Sequence, residues 1–244
     1  MRVFTIVLIV LIRSFHVHAQ NKTVLPVQDE VQPETAYPIS LYKSATVYSQ
    51  NLFNGRRYYI YDAKMEEHQF FEGRKWQNGT VYYDGQRFDS IPMLYDIVKD
   101  ELVIRHFNSD PLILQFDKVD YFIKNNHIFR RLEAGKDIDP QMRTGYYDLL
   151  YEGKSKVVAR RSKQRQEKIV DKRVIGIFPE KSFYYIRKND RYHYVRSRKS
   201  VLALFPEKKK ELRKMLRNEN INFRKERETA IARMSATYDA LGQP

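Results

Sequence analysis

The chain has 244 residues, no cysteine, a formal charge of +14, and 42% hydrophobic and 14% aromatic residues. That composition builds a packed core without disulfide staples, and it excludes thiol nucleophiles, thiolate metal sites and a lipid-carrying N-terminal cysteine. The charge is uneven: residues 1–142 hold 17 Lys/Arg against 18 Asp/Glu (net −1), whereas 143–244 hold 27 against 12 (net +15), an asymmetry that points to a polyanionic partner.

Taken in chain order, Met1-Arg2 sets a positive charge before the apolar run 3–12, and Val17-His18-Ala19 supplies small or modest residues ahead of Gln20. This is the pattern of a secretory signal peptide cut after Ala19. The apolar run is too short to span a bilayer, which takes roughly 20 residues. The expectation is an exported protein, periplasmic or extracellular, with no transmembrane segment in the mature chain. Export also removes nucleic acid as a partner and leaves anionic glycan, lipopolysaccharide or an envelope protein. Residues 20–40, with Pro26, Pro33 and Pro38, read as an extended leader.

From 41 to 199 the residues predict an antiparallel β domain. Short aromatic and β-branched runs alternate with turn residues about every ten positions. Asp84-Gly85 predicts a two-residue turn placing Val81 opposite Phe88 and Tyr82 opposite Arg87. Further pairs are 93–98 with 101–107, 119–124 with 127–132, 146–151 with 155–160, and 183–188 with 191–196. Residues 161–172 read as a charged strand extension or a loop. From 200 to 241 helices follow. Ser200 is placed as a cap, Pro206 in a first turn, and Phe223, Arg227, Ile231, Met234, Tyr238 and Leu241 recur on one helical face. The fold expected is mainly β: an antiparallel meander sheet or partial barrel with a C-terminal helical segment packed on it.

No catalytic motif emerges. Gly153-Lys154-Ser155 lacks the earlier glycine and the following helix of a phosphate-binding loop. His68, His106, His127 and His193 have no metal-ligand spacing, so no metal, cofactor or catalytic residue is assigned. Asp89, Asp96, Glu101 and Asp148 sit near strand ends, where paired carboxylates of a glycosidase leave no local signature. Trp76, the single tryptophan, reads as a packing residue.

The richest constellation is the hairpin 183–196. Its expected register places Phe183, Tyr185, Arg187, Tyr192, Tyr194 and Arg196 on one side. Rings interleaved with guanidinium groups stack on sugars and hold phosphates or carboxylates. Tyr185, Arg187, Tyr192, Tyr194 and Arg196, helped by Arg160 and Arg161, are therefore the candidate ligand-binding residues.

Gly79-Thr80-Val81-Tyr82-Tyr83-Asp84-Gly85, Leu94-Tyr95-Asp96 with Glu101-Leu102-Val103, Gly145-Tyr146-Tyr147 with Tyr151-Glu152-Gly153-Lys154, and Phe205-Pro206-Glu207-Lys208-Lys209 resemble segments of uncharacterised exported β-rich proteins of the Bacteroidota. The resemblance implies location and fold and brings no assigned activity. The function expected is a non-enzymatic binding or scaffolding protein of the bacterial periplasm or cell surface, contacting an anionic or glycan ligand. The alternative is a glycan-active hydrolase using Asp/Glu from separate strands. An outer-membrane barrel is disfavoured by the charged tail and by strands charged on both faces.

Overall fold

The computed structural model describes residues 51–61 and 67–242; the expected signal peptide, leader and residues 41–50 lie outside the described residues. The described residues form thirteen strands: β1 (Arg56–Arg57), β2 (Gln77–Tyr83), β3 (Gln86–Asp96), β4 (Glu101–Arg105), β5 (Pro111–Ile113), β6 (Val119–Lys124), β7 (His127–Leu132), β8 (Gly145–Glu152), β9 (Lys156–Lys163), β10 (Gln166–Val170), β11 (Arg173–Ile177), β12 (Glu180–Lys188) and β13 (Arg191–Val195). Helices α1 (Arg198–Leu204), α2 (Lys209–Asn218) and α3 (Arg227–Leu241) follow. No described helix is long and apolar enough to cross a membrane.

Eleven strands form one open antiparallel sheet in the order β1-β5-β4-β3-β2-β6-β7-β8-β9-β12-β13. Between β2 and β9 the meander is interrupted once. After β5 the chain turns through Phe116–Lys118 and enters β6 on the free edge of β2. Turn chemistry fixes the register. Asp84-Gly85, Asn125-Asn126, Asp171-Lys172 and Asn189-Asp190 all have positive φ, the backbone that two-residue hairpins matching strand twist require. Val81 pairs with Phe88 and Tyr82 with Arg87, and Tyr185 pairs with Tyr194 and Arg187 with Tyr192, as the sequence predicts.

The stretch 161–172 differs from the sequence reading. Residues to Lys163 complete β9, and the rest forms β10 and the turn into β11. Asp171-Lys172 makes that turn (φ 49° and 62°), and lysine gives no turn signal of its own. The first helix cap also differs. Ser197 is the N-cap, and Ser200 is its reciprocal partner three residues on, a capping box built from two serines.

The sheet curls on itself. β3 and β9 are five ladder steps apart, about 24 Å if the sheet were flat. Yet the Lys163 N–H donates to the Ile97 carbonyl at 3.1 Å. Beside it, Arg160 Nη2 meets Asp100 Oδ2 at 3.0 Å, and Tyr95 donates to Asp100 Oδ1 at 2.6 Å. Gly145 leaves room for this clasp, because a Cβ there would press on both the Arg160 guanidinium and the Asp100 carboxylate. The inner face of the curl carries Val81, Tyr83, Met93, Tyr95, Leu102, Ile104, Phe122, Phe129 and Tyr146. Further along, Val157, Ala159, Ile186 and Val195 pack against Leu202, Leu212, Ile231 and Met234 of the three helices. Each Val, Leu, Ile, Phe or Met side chain among them stabilises by roughly 1.5–3 kcal/mol when fully buried.

α3 turns a slightly different face inward from the one its apolar spacing predicts. It begins at Arg227, so Phe223 precedes it, and it buries Ala230, Ile231, Met234, Ser235 and Asp239. Asp239 sets the roll: its Oδ2 accepts from the Ser155 N–H (2.8 Å), Ser155 Oγ (3.1 Å) and Tyr151 Oη (3.0 Å).

Candidate functional site

Strand alternation divides the sequence-predicted residues. Tyr185 and Tyr194 stand together with ring centroids 5.6 Å apart, and Tyr147 lies edge-on to Tyr185. Tyr192 is half-buried against Ile138, Met142 and Val158. Arg187 is tied to Asp190 at 2.6 Å. Arg160 shares this face but is structural: it holds Asp100, donates to the Arg143 and Thr144 carbonyls, and lies over the Tyr147 ring. Arg161 does not join them. The pleat sends it to the opposite, helix-covered face, where it meets Asp148 and Glu228. Only Tyr194 and Arg196 of the set are exposed.

Arg196 belongs instead to a second constellation. It lines an open cavity of about 630 Å³ with Ser197, Arg198, Lys199, Ile221, Asn222, Phe223, Arg224 and Arg227. Two loops build it. On one wall the capping box fixes the backbone, as Ser200 Oγ accepts from the Arg196 and Ser197 N–H groups, both at 3.1 Å. On the other wall Asn222 Oδ1 accepts from the Arg224 and Lys225 N–H groups at 3.0 and 3.3 Å. The Asn222 carbonyl accepts from Lys225 and Glu226. Ile221 and Phe223 anchor that loop against the helical core.

Four arginines and a lysine therefore surround the cavity, and no acid among the described residues lines it. The nearby carboxylates have partners of their own, Glu226 on the lining residue Asn222. Glu219 pairs with Arg233 at 2.5 Å, Glu226 accepts from the Asn222 N–H at 3.4 Å, and Glu228 accepts from Arg161 at 2.7 Å. Fixed loops carrying unbalanced guanidinium groups suit bidentate capture of phosphate, sulfate or carboxylate. Sequence reasoning found Arg196 but missed Arg198, Lys199, Arg224 and Arg227. The available signal was the paired basic clusters 196–199 and 224–227, which the fold brings together.

A polar seam lies where the two apolar clusters meet. Asp148 Oδ2 accepts from Arg161 Nη2 (2.5 Å) and Nε (3.0 Å) and pairs with His127 Nδ1 at 2.8 Å. The hydrogen bond to Asp148 raises the His127 pKa, against its burial. His127, Asp148 and Glu228 have donor atoms within 4.8 Å of one another. Arg161 donates to both carboxylates and already supplies the positive charge that a metal ion would bring. Nearby, Lys124 Nζ is fully buried, donates to Gln77 Oε1 and lies 3.9 Å from Glu72, and burial lowers its pKa.

The four carboxylates singled out by sequence are dispersed among separate partners. Asp89 accepts from Thr80 and Arg87. Asp96 is fully buried and accepts from Tyr58, Tyr61 and the Val98 and Lys99 N–H groups. Glu101 pairs with Arg56, and Asp148 with Arg161. Glu101 also lines a cavity of about 290 Å³ with Asp100, Asp117 and Tyr146. Burial there lifts the Asp100 and Glu101 carboxyls above the ordinary range. Trp76 packs against the cluster of Tyr58, Phe70, Leu94 and Val103.

Comparison with protein-family models, curated proteins and solved structures gave no match to this chain.

Proposed function

We propose that this is an exported, non-enzymatic protein of the bacterial periplasm or cell surface that binds an anionic ligand, such as a phosphorylated, sulfated or uronate-bearing glycan. One observation carries the reading: five cationic residues line one cavity that has no acid among its described lining residues. Ordinary basic surface intersperses acids among its cations. Of the neighbouring acids, Glu219 and Glu228 are paired with Arg233 and Arg161. The signal-like opening supports export, where anionic glycans and lipid phosphates are the abundant polyanions. The resemblance to exported proteins of the Bacteroidota points the same way.

The test is titration calorimetry with a heparin oligosaccharide as the sulfated-glycan probe, at low and high salt. The parent binds, and binding weakens as salt rises. The triple variant Arg196→Gln, Arg198→Gln, Arg224→Gln loses affinity by about tenfold or more. Equal binding by parent and variant, or none by the parent, removes the reading. Export is checked by the N-terminus of protein taken from its native host, expected at Gln20.

A second reading, a glycan-active hydrolase, is supported by the cavity at Glu101. A carboxyl raised by burial is suited to protonate a leaving group, and Asp117 lines the same cavity. Turnover of a polysaccharide that disappears in Glu101→Gln, with the cationic cavity intact, would favour it.

A further inference from the structure

Among the described residues β10 and β11 are the one strand pair outside the main sheet. The base of this ribbon is fixed. Lys163 Nζ donates to the His68 and Phe70 carbonyls at 3.0 and 2.8 Å. The Phe178 side chain is buried, and its N–H donates to the Glu67 carboxylate. The outer part is bare: Ile169 is 75% and Val174 60% exposed, and Val170 and Ile175 are 37% each. A lone two-stranded ribbon is marginal in water. Clustered exposed aliphatic side chains mark a surface meant for contact.

Their placement selects the kind of contact. Ile169 pairs with Val174, Lys168 with Ile175 and Val170 with Arg173. Directly paired residues share a face. Ile169 and Val174 thus occupy one face of the tip, and Val170 and Ile175 the other. A protein groove covering one face would leave the second in water. A fluid apolar phase covers both. The same tip carries Lys168, Lys172 and Arg173, and residues 163–173 hold five Lys/Arg against two Asp/Glu. Aliphatic tip residues with adjoining cations complement an anionic lipid surface. A second copy of the chain would bring the same excess of positive charge and is repelled.

We propose that the β10–β11 ribbon is a membrane-docking arm. Ile169, Val170, Val174 and Ile175 enter the interface of an anionic bilayer, while Lys168, Lys172 and Arg173 meet lipid phosphates. A two-stranded ribbon is not a closed barrel, and an open ribbon does not cross the hydrocarbon centre. Three residues of strand reach about 10 Å, and interfacial elements bury about 5–10 Å. The arm therefore anchors at headgroup depth and does not span.

The experiment is co-sedimentation of the mature chain with phosphatidylglycerol vesicles and with phosphatidylcholine vesicles. The parent pellets with phosphatidylglycerol and far less with phosphatidylcholine. The double variant Ile169→Asp, Val174→Asp loses vesicle affinity by about tenfold or more, with unchanged circular dichroism and unchanged heparin binding. That last control separates the arm from the cationic cavity. A Val174→Trp variant, with Trp76→Phe to clear the background, shows a blue-shifted emission on phosphatidylglycerol vesicles. Vesicle binding untouched by the double variant, absence of any blue shift, or a dimer in sedimentation equilibrium that the double variant dissolves would each overturn the proposal.

Discussion

Arg161 and Asp148 face each other at 2.5 Å with side chains only 7% and 1% exposed, at the boundary between the curled-sheet core and the helix-covered core. Burial pushes the Arg161 guanidinium towards neutrality, but hydrogen bonds and charge from Glu228 and Asp148 outweigh it and hold it charged. Through Glu228 the pair joins β8 and β9 to α3, a second polar link of the helix to the sheet beside that of Asp239.

Removing one partner leaves the other charge buried and uncompensated. Arg161→Met is expected to destabilise the fold by about 3–5 kcal/mol, whereas the double change Arg161→Met, Asp148→Leu costs markedly less than the single. Urea unfolding of the three proteins checks this. A single variant within about 1 kcal/mol of the parent would show the pair to be dispensable.

His127 gives the same seam a pH signature. Its pKa is raised from 6.5 in the fold, first by the hydrogen bond to Asp148. A histidine raised on folding contributes stability that is full below its unfolded pKa and is lost as pH climbs through the folded value. His68 acts oppositely, since burial lowers its pKa. The difference between parent and His127→Gln isolates the first effect. It should be largest below about pH 6.5 and shrink on the alkaline side. A difference independent of pH between about 5 and 9 would mean that folding leaves the His127 pKa at its unfolded value.

Two glycines test how the sheet is held in its curl. Gly145→Ala places a methyl group against Arg160 and Asp100 and is expected to cost about 1–3 kcal/mol. Gly73→Ala meets nothing within 4 Å. With no positive φ there, it should be neutral or gain up to about 1 kcal/mol. Parallel denaturant melts decide, and equal effects at the two positions would remove the clasp as a stabilising device.

What the sequence made legible follows from locality. Asp84-Gly85, Asn125-Asn126 and Asn189-Asp190 encode their turns in adjacent residues, so the hairpins and the register of β12 with β13 were readable. The return of β6 to the edge of β2 was not, because no residue near 116–118 names a strand forty positions earlier. Arg160 and Arg161 show the same limit at the site. Both are cations in one strand, yet the pleat assigns them to opposite faces, and their partners Asp100 and Glu228 lie 60 and 67 residues away. The cationic cavity likewise needs the loop before α3 to fold back on Ser197. Of that site only Arg196 stood out, through its place beside the aromatic hairpin.

The cavity itself makes the last prediction. Arg196, Arg198, Lys199, Arg224 and Arg227 share one small volume without an acid among its lining residues. Like charges closer than the Debye length of about 10 Å at moderate salt repel one another. A ligand site assembled this way costs stability when empty. Neutralising Arg224 and Arg227 to Gln should therefore raise the melting temperature at low salt, where most surface changes do nothing or harm. The gain should fade as salt screens the repulsion in the parent. The same variant should lose the extra thermal protection that the heparin oligosaccharide gives the parent. Scanning calorimetry across a salt series reads both effects. A melting temperature that falls or stays level in the variant at low salt would mean that the five cations are spread too widely to act on a single anion.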